Sequence, residues 1–568
     1  MNDPSRHIQL IQNWLKQGEI ESAKALLSEM IAETPNNQEV IEYLALIYEH
    51  EGDDESAMKL LLDAMSILSC SPSLKFNLAD LYLKHGAHQK AIQLYKSVLE
   101  TTPSFFEVLH NLGLAHAQLF QFNEAAQYFE QASLINPNSF ELQANWGAAL
   151  KNLGKYQKSL DCLDLAIANN PLDPSVWLNK GVTLDAMDRQ QQAVDCYEKA
   201  IKLDHRYHEA HCNVANTLIV LGKYDQAMSA FQKALAIKAN DPDTLYNLSL
   251  LQLIQGDFIN GWANYEYRWL RENAPKKLFS EIPPLLDING VSGKDILVWS
   301  EQGLGDSIQF SRYVIPLKNL GAKITLATQP QLIGLLQSMR AIENITSIDQ
   351  IQKNNFDAQI PLLSLPLLFQ QSNIKPQIQI PYLRSNPDKK LMWANRLCNI
   401  KGLKVGLVWN GGFRPEKTES WYERRNIQLS DIAMLNDVPG VHFFNLQKGE
   451  PAESELLEYY STLWPKNNLS IFTSELNTFE DTAALVENLD LVISVDTSTA
   501  HLAGALGKPV WILNRFDTCW RWLIQQEKTH WYPSAKIFNQ PLPGDWQSVI
   551  AKVKSELADL AALNRTAI

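Results

Sequence analysis

The stretch LVISVDTSTAHLAGALGKPVWIL, residues 491–513, decides the fold of the C-terminal half of the chain. Its two apolar runs, 491–495 and 509–513, are typical of strands covered on both faces in a parallel sheet. The small residues between them predict a helix packed closely on that sheet. A polar cluster follows the first run directly, at the edge where open α/β sheets bind ligands. The cluster consists of Asp496, Thr497, Ser498, Thr499 and His501.

Apolar runs alternate with helical patterns throughout this half of the chain. They form two series separated by the segment PQIQIPYLRSNPD, which predicts two parallel sheets. We therefore predict an α/β module of two Rossmann-like lobes facing each other across a cleft, at residues 293–388 and 389–568. A Pro- and Gly-punctuated connector at 273–292 precedes them, and the second lobe ends in a C-terminal helix. The predicted strands lie at 295–300, 323–328, 356–362, 403–409, 441–447, 489–495 and 509–513.

The N-terminal half has an internal period of 34 residues. Each unit reads as two amphipathic helices joined by a short turn, with a small residue where the helices cross. The pattern resembles the tetratricopeptide repeat. We predict an all-α solenoid over residues 1–272, with about seven repeats plus a partial eighth, and a concave face lined by the first helix of each pair. The small residues recur at Ala23, Ala57, Ala91, Ala125, Ser159, Ala193, Ala227 and Gly261.

Asparagine recurs with the same period, at one position of the first helix in successive repeats. A side-chain amide offers both a donor and an acceptor, so a ladder of amides could hold an extended peptide backbone of any sequence. The alternative is that asparagine is simply the commonest residue at this site of the repeat. The ladder consists of Asn77, Asn111, Asn145, Asn179, Asn213 and Asn247.

Composition narrows the class of protein. The formal net charge of −13 over 568 residues argues against a nonspecific nucleic-acid binder, which must neutralise phosphates. The chain has no apolar run of about 18 residues, so we expect no transmembrane segment, and its first residues lack the apolar core of a signal peptide. The six cysteines show no CxxC pair and no zinc-like spacing. We therefore expect reduced thiols and a cytoplasmic location.

A Gly-rich turn, WSEQGLGDSIQF at residues 299–310, follows the first predicted strand. It lacks the full G-x-G-x-x-G spacing and the Walker lysine, which argues against dinucleotide and ATPase sites. Gln302, Gly303 and Gly305 would form a cleft loop in which the glycines let the backbone approach a ligand. Asp306 would point into the cleft, or it would only cap the helix that begins there.

Two further loops after predicted strands carry basic residues. The loop WNGGFRPEKTESWYERRNIQL contains Asn410, Lys417 and Arg425, and NLQKGE places Lys448 just after a strand. A helix that begins near residue 498 would direct unsatisfied N–H groups into the same cleft, where hydroxyls of the polar cluster add donors. The pattern predicts an anion site, whereas a solvated loop and a capped core helix are the simpler alternatives. The segment FDTCWRW holds Trp520, Arg521 and Trp522, which either line the site or pack in the core.

The segments EQGLGDSIQFSRY, LVWNGG with RRNIQL, FFNLQKGE and EDTAALVENLDLVISVDTSTAHLAGALGKPVWIL together resemble the heptosyltransferase family, glycosyltransferase family nine, over residues 290–545. The resemblance implies a GT-B fold, a nucleotide diphosphate sugar as co-substrate, no metal and no further cofactor. It implies that Asp306 is the general base and that the turn from Asp496 to Thr499 binds the diphosphate, with His501 nearby. The family's basic loop residue corresponds to Arg425, Lys417 or Lys448.

The order of repeats followed by this module also resembles that of O-linked N-acetylglucosamine transferases, in which a ladder of asparagines holds the protein acceptor. We therefore expect a hexosyl- or heptosyl-type glycosyltransferase with the acceptor on the first lobe, the nucleotide sugar on the second and a protein acceptor on the repeats. One alternative is transfer to a lipid-linked or polysaccharide glycan, with the repeats recruiting a partner. Another is a scaffold with a degenerate transferase domain. The sequence identifies neither the base of the nucleotide nor the sugar, and it does not determine the anomeric outcome.

Overall fold

The computed structural model describes residues 4–67, 71–340, 342–352, 355–412 and 423–566. The chain divides into two compact units, Met1–Ala210 and His211–Ile568. The boundary lies inside the helical repeats, so the last repeats belong to the same unit as the sheets. The predicted domain limits at residues 272, 292 and 388 stay a prediction.

Sixteen α-helices in the described residues form successive antiparallel pairs, and they confirm the predicted all-helical repeat array. In the first unit they are α1 (Pro4–Gln17), α2 (Ile20–Glu33), α3 (Gln38–His50), α4 (Asp54–Ile67), α5 (Pro72–Lys84), α6 (His88–Leu99), α7 (Phe106–Gln118), α8 (Phe122–Ile135), α9 (Phe140–Asn152), α10 (Tyr156–Asn169), α11 (Pro174–Ala186) and α12 (Gln190–Leu203). Helix α13 (His208–Val220) begins at the boundary, and the second unit continues with α14 (Tyr224–Ile237), α15 (Pro242–Ile254) and α16 (Phe258–Tyr265).

Small residues at the 34-residue period lie where paired helices cross. Ala125, Ser159 and Ala193 are completely buried. A Cβ added at Gly113 would lie 2.4 Å from the Phe129 ring, and one at Gly181 would lie 2.5 Å from the Tyr197 ring. Such distances leave no room for a larger side chain, because protein interiors are close-packed. The sequence period therefore records a steric requirement of the helix crossing.

The first sheet has four parallel strands in the order β3-β2-β1-β4. The chain moves outward from β1 to β3 and then returns to the other side of β1, which creates a topological switch point between β1 and β4. The strands are β1 (Asp295–Trp299), β2 (Lys323–Thr328), β3 (Asn344–Ser347) and β4 (Ala358–Pro361). The helices of this region are α17 (Leu304–Phe310), α18 (Val314–Asn319), α19 (Ile333–Leu336), α20 (Leu365–Gln371) and α21 (Pro387–Leu397).

The second sheet has six parallel strands in the order β10-β9-β8-β5-β6-β7, with its switch point between β5 and β8. Its strands are β5 (Leu403–Val408), β6 (Val441–Asn445), β7 (Leu469–Ile471), β8 (Leu491–Val495), β9 (Val510–Asn514) and β10 (Ala535–Asn539). Its helices are α22 (Leu429–Ala433), α23 (Ala452–Leu463), α24 (Phe479–Glu487), α25 (Ser498–Ala505) and α26 (Trp546–Thr566). Two parallel sheets thus follow the helical array, as predicted.

The last helical pair shares a hydrophobic core with the sheets. Trp262 of α16 packs edge-on against Phe310 of α17 and against Trp520, with ring centroids 5.7 and 5.4 Å apart. An ion pair joins the same regions: Arg268 Nη2 lies 2.7 Å from Glu301 Oε1, and the two side chains are only 3% and 1% exposed. These contacts explain why the last repeats and the sheets form one compact unit.

Candidate functional site

A cavity of about 810 Å³ lies in the second unit, at the carboxyl ends of β1, β5, β6 and β8. It adjoins the switch points of both sheets, where open α/β folds bind ligands. The cleft brings together predicted residues from five separate segments. Those lining it are Asn247, Gln302, Gly303, Gly305, Asp306, Asn410, Arg425, Lys448, Asp496, Thr497, Ser498, Thr499 and His501. Lys417 lies outside the described residues.

The polar cluster forms the start of α25, as the small residues and hydroxyls predict. Thr497 caps the helix: its Oγ1 accepts a hydrogen bond from the Ala500 N–H at 3.4 Å and lies 2.9 Å from Ser494 Oγ. Helix geometry leaves the N–H groups of Ser498 and Thr499 without a carbonyl partner in the helix itself. Thr497 therefore has a structural task, while Ser498 and Thr499 place donors on the cleft wall.

His501 lies one turn into α25 and is almost completely buried. Its ring stacks on Trp522 with centroids 5.3 Å apart, and its Nδ1 lies 3.0 Å from the Tyr532 hydroxyl. Burial lowers the pKa of His501 to about 3, and the Asp496 carboxylate only partly opposes this effect. The imidazole is therefore neutral at physiological pH and acts as a neutral hydrogen-bonding group.

Asp496 directly follows β8 and lies beside the guanidinium of Arg425, whose Nη2 donates to the Asp496 backbone carbonyl. Burial by itself would raise the pKa of Asp496, but the positive charges of Arg425 and Arg521 hold it below its ordinary value. Asp496 is thus ionised, and it balances part of the positive charge at this end of the cleft.

Asp306 lies in the first turn of α17 and is mostly buried, with 17% of its side chain exposed. Its Oδ2 accepts a hydrogen bond from the Gly303 N–H at 3.1 Å, so it does cap the helix. It also lines the cleft and forms an ion pair with Arg521 through Oδ1. Asp306 therefore caps α17 through Oδ2, while its Oδ1 pairs with a cleft residue.

Arg521 is a cleft residue that sequence reasoning left undecided. Its Nε donates to Gln309 Oε1 at 2.8 Å, and its guanidinium lies 4.1 Å from the centre of the Trp520 ring. Trp520 also lines the cleft, whereas Trp522 is fully buried beneath His501. Of the three residues, Trp520 and Arg521 line the cleft, whereas Trp522 packs in the core.

The loop after β6 contributes Lys448, whose Nζ donates to the Leu476 carbonyl at 2.6 Å along the cleft wall. Gln447 beside it is buried, and its Oε1 accepts hydrogen bonds from the Trp409 and Asn410 N–H groups at 3.2 and 2.9 Å. Gln447 thereby ties the end of β6 to the end of β5. It keeps the two loops that carry Lys448 and Asn410 in a fixed arrangement.

One wall of the cleft comes from the helical repeats. Asn216 of α13 and Tyr246 and Asn247 of α15 line it, and Gln302 Nε2 donates to the Tyr265 hydroxyl at 2.8 Å. All six ladder asparagines are partly exposed. In the first unit, Asn111 Nδ2 donates to Asp80 Oδ1 at 2.9 Å. The last amide of the ladder thus reaches the cleft, which the sequence period did not indicate.

Four segments match models of the tetratricopeptide repeat, at residues 73–106, 106–139, 174–206 and 208–241. This chain carries tetratricopeptide repeats. Protein FlbA of Caulobacter vibrioides is 27% identical over 330 residues, which cover 53% of this chain and 52% of that protein. The chain therefore spans about half the length of this curated relative.

Solved structures show similarity to parts of the chain. The MamA protein is 25% identical over 30% of this chain and 93% of its own, with a TM-score of 0.28. A tetratricopeptide repeat protein from Parabacteroides merdae is 21% identical over 44% of this chain and 98% of its own, with a TM-score of 0.35. Within the described residues, no helix is long and apolar enough to cross a membrane, and no group of three His, Cys, Asp or Glu residues could hold a metal ion.

Proposed function

We propose that this protein is a metal-independent glycosyltransferase of GT-B fold that moves a sugar from a nucleotide diphosphate sugar to a hydroxyl of a protein acceptor. One observation carries the proposal. A single cleft combines a carboxylate, Asp306, with a helix N-terminus flanked by Arg425 and Lys448 and with side chains of the helical repeats. These are the groups that such a transfer needs.

The donor would bind with its diphosphate at the start of α25. The N–H groups and hydroxyls of Ser498 and Thr499 would donate to phosphate oxygens, and Arg425 would add charge-assisted hydrogen bonds. A volume of about 810 Å³ falls within the ordinary range for small-molecule sites. The neutral His501 beneath the first turn adds polarity without repelling the cations around it.

The reaction balances with these residues alone. The acceptor oxygen attacks the anomeric carbon, and Asp306 takes the proton of the acceptor hydroxyl. The bond between the anomeric carbon and the phosphate oxygen breaks, and the nucleoside diphosphate leaves with the electron pair. Fixed donors around the leaving group would stabilise its developing charge.

A protein acceptor is supported by the repeat side chains in the cleft wall. Tetratricopeptide arrays offer long surfaces for extended partners. Asn247 lies at the ladder position of α15 and also lines the cleft. A peptide bound at Asn247 would therefore lie in the same cleft as Asp306.

A thermal-shift screen with nucleotide diphosphate sugars tests the donor, because a ligand that binds only the folded state raises the melting temperature. Transfer of the selected sugar is then measured with Asp306→Asn and with Asp388→Asn, an exposed carboxylate outside the cleft lining. We expect loss of transfer in the first variant only. Failure of every nucleotide sugar to bind would indicate a scaffold, and transfer to glycans but not to peptides would indicate the alternative acceptor.

A further inference from the structure

Asp306, the general base of the proposed reaction, is engaged in an ion pair with Arg521. Both side chains line the cleft, and they are 17% and 12% exposed. Oδ1 of Asp306 faces the guanidinium, and Oδ2 accepts the Gly303 N–H at 3.1 Å. An acceptor hydroxyl would have to compete with Arg521 for the cleft-facing oxygen. The ion pair therefore hinders access of the acceptor hydroxyl to Asp306, the proposed general base.

Arg521 is anchored at its inner end, whereas Cys519 and Asp306, the partners of its two Nη atoms among the described residues, line the cleft. Nε donates to the buried Gln309 at 2.8 Å, Nη1 lies 3.1 Å from Cys519 Sγ, and the guanidinium plane lies over Trp520. Burial by itself would lower the pKa of Arg521, but the charges of Asp306 and Asp496 raise it. The cation is therefore permanent, and it sits in a field shared by two carboxylates.

The start of α25 lies close to this ion pair. A Cβ added at Gly305, the residue before Asp306, would lie 3.3 Å from Ser498 Cα and 3.6 Å from Ser498 N. A diphosphate at Ser498 and Thr499 would thus bring negative charge next to Arg521. Guanidinium groups bind phosphate oxygens with two parallel hydrogen bonds, and a diphosphate carries more negative charge than one carboxylate whose Oδ2 already accepts the Gly303 N–H, so the donor can compete with Asp306 for Arg521.

We propose that Arg521 pairs with Asp306 only in the absence of donor and turns its guanidinium to the diphosphate when the nucleotide sugar binds, which frees Asp306 for the acceptor. This inference rests on the proposed function and deepens it. Arg521 would be both a donor-binding residue and the positioning residue for the base. Its consequence is an order of events: the carboxylate becomes available after the donor is in place.

A double-mutant cycle on nucleoside diphosphate binding tests the inference without any turnover. The full chain is titrated calorimetrically with UDP, GDP, ADP and inorganic pyrophosphate. The native protein is compared with Asp306→Asn, Arg521→Gln and the double variant. Asp306→Asn keeps the shape of the side chain but removes its charge. Arg521→Lys keeps the charge but removes the bidentate geometry, and thermal unfolding establishes that each variant is folded.

We expect Asp306→Asn to tighten binding of the selected nucleoside diphosphate by roughly threefold or more, because Arg521 no longer has to leave a carboxylate. Arg521→Gln should weaken binding by roughly tenfold, and Arg521→Lys should restore only part of it. In the double variant the gain from Asp306→Asn should vanish.

The two proposals fail in different ways. If the native protein binds the nucleoside diphosphate and Asp306→Asn has the same effect with and without Arg521, the proposed movement of Arg521 from Asp306 to the diphosphate is wrong, while the transferase proposal stands. Unchanged or weaker binding of the nucleoside diphosphate to Asp306→Asn also overturns the proposed movement of Arg521. If the native protein binds none of the four probes, both proposals are overturned.

Discussion

Gly305 and Ser498 approach each other so closely that a Cβ on Gly305 would lie 3.3 Å from Ser498 Cα. The same Cβ would lie 3.0 Å from His501 Cδ2. Gly305 lies in the first turn of the helix that carries Asp306, and Ser498 begins the helix proposed to bind the donor. A single hydrogen atom in place of a side chain thus lets α17 and α25 pack together at the cleft.

We predict that Gly305→Ala destabilises the protein by about 1–3 kcal/mol, because the added methyl group overpacks a contact with backbone atoms. The measurement is the free energy of unfolding in urea. Gly334→Ala in α19 is the matched control, since a Cβ there would lie 3.5 Å or more from its neighbours. Equal effects of the two substitutions would show that the helices can separate without cost.

His501 gives the stability a predictable pH dependence. Its pKa is about 3 in the folded protein and 6.5 ordinarily. Below pH 6.5 the unfolded chain therefore binds a proton at His501 that the folded protein does not bind. The free energy of unfolding therefore falls as the pH falls towards 3. His501 alone should lower the free energy of unfolding by about 2 kcal/mol at pH 5 relative to pH 7.5.

The contribution is measured as the difference between the native protein and His501→Asn across this pH range. The packing cost of the substitution appears at pH 7.5, and we expect the variant to lose about 2 kcal/mol less than the native protein on going to pH 5. Parallel loss of stability in both proteins would contradict the assignment of a neutral imidazole.

The buried pair of Arg268 and Glu301 should matter more than an exposed pair of the same type. Glu301→Gln leaves the 3% exposed Arg268 with the partly exposed Glu266 as its remaining carboxylate partner, and we expect a loss of about 3 kcal/mol in unfolding free energy. Arg396 and Glu475 are 40% and 44% exposed, so Glu475→Gln should cost less than about 1 kcal/mol. A similar loss in both variants would mean that water reaches Arg268.

The ladder predicts a selective loss of peptide binding. Replacing Asn145, Asn179 and Asn213 together by Ala should weaken binding on peptide arrays by roughly tenfold or more, because several backbone hydrogen bonds are lost. The control triple variant changes exposed residues of second helices, Gln157, Glu198 and Gln232. Circular dichroism should show that both variants remain helical. Unchanged peptide binding in the ladder variant would assign asparagine a role within the repeat only.

The position of the polar cluster was predictable because the carboxyl ends of parallel strands meet at one edge of a sheet. Asp306, Lys448 and Asp496 all follow central strands with continuous apolar runs, which the sequence displays clearly. The strands that escaped prediction are β3, β7 and β10, which lie at sheet edges. β3 and β7 have only 4 and 3 residues, and buried and partly exposed positions are mixed in β10, so no continuous apolar run marks these strands.

The contact between Asp306 and Arg521 could not be predicted in the same way. The two residues are 215 positions apart, and Arg521 does not directly follow a strand. Its place depends on how the segment after β9 folds over the cleft, with Trp522 buried beneath His501. Such a contact arises from tertiary packing, which no local period or motif records. The same holds for Asn247, whose helical position was predictable and whose place in the cleft was not.

The packing of Trp262 against Phe310 and Trp520 sets where this chain can be divided. A fragment cut at the connector would lose Trp262 and Arg268, and it would expose the apolar side of α17 and leave Glu301 without its cation. Expression of the sheet region alone should therefore begin before α13 and keep the last helices. In evolution, too, whole repeats could be gained or lost in the segment before residue 210, whereas the final repeats share a hydrophobic core with the sheet region.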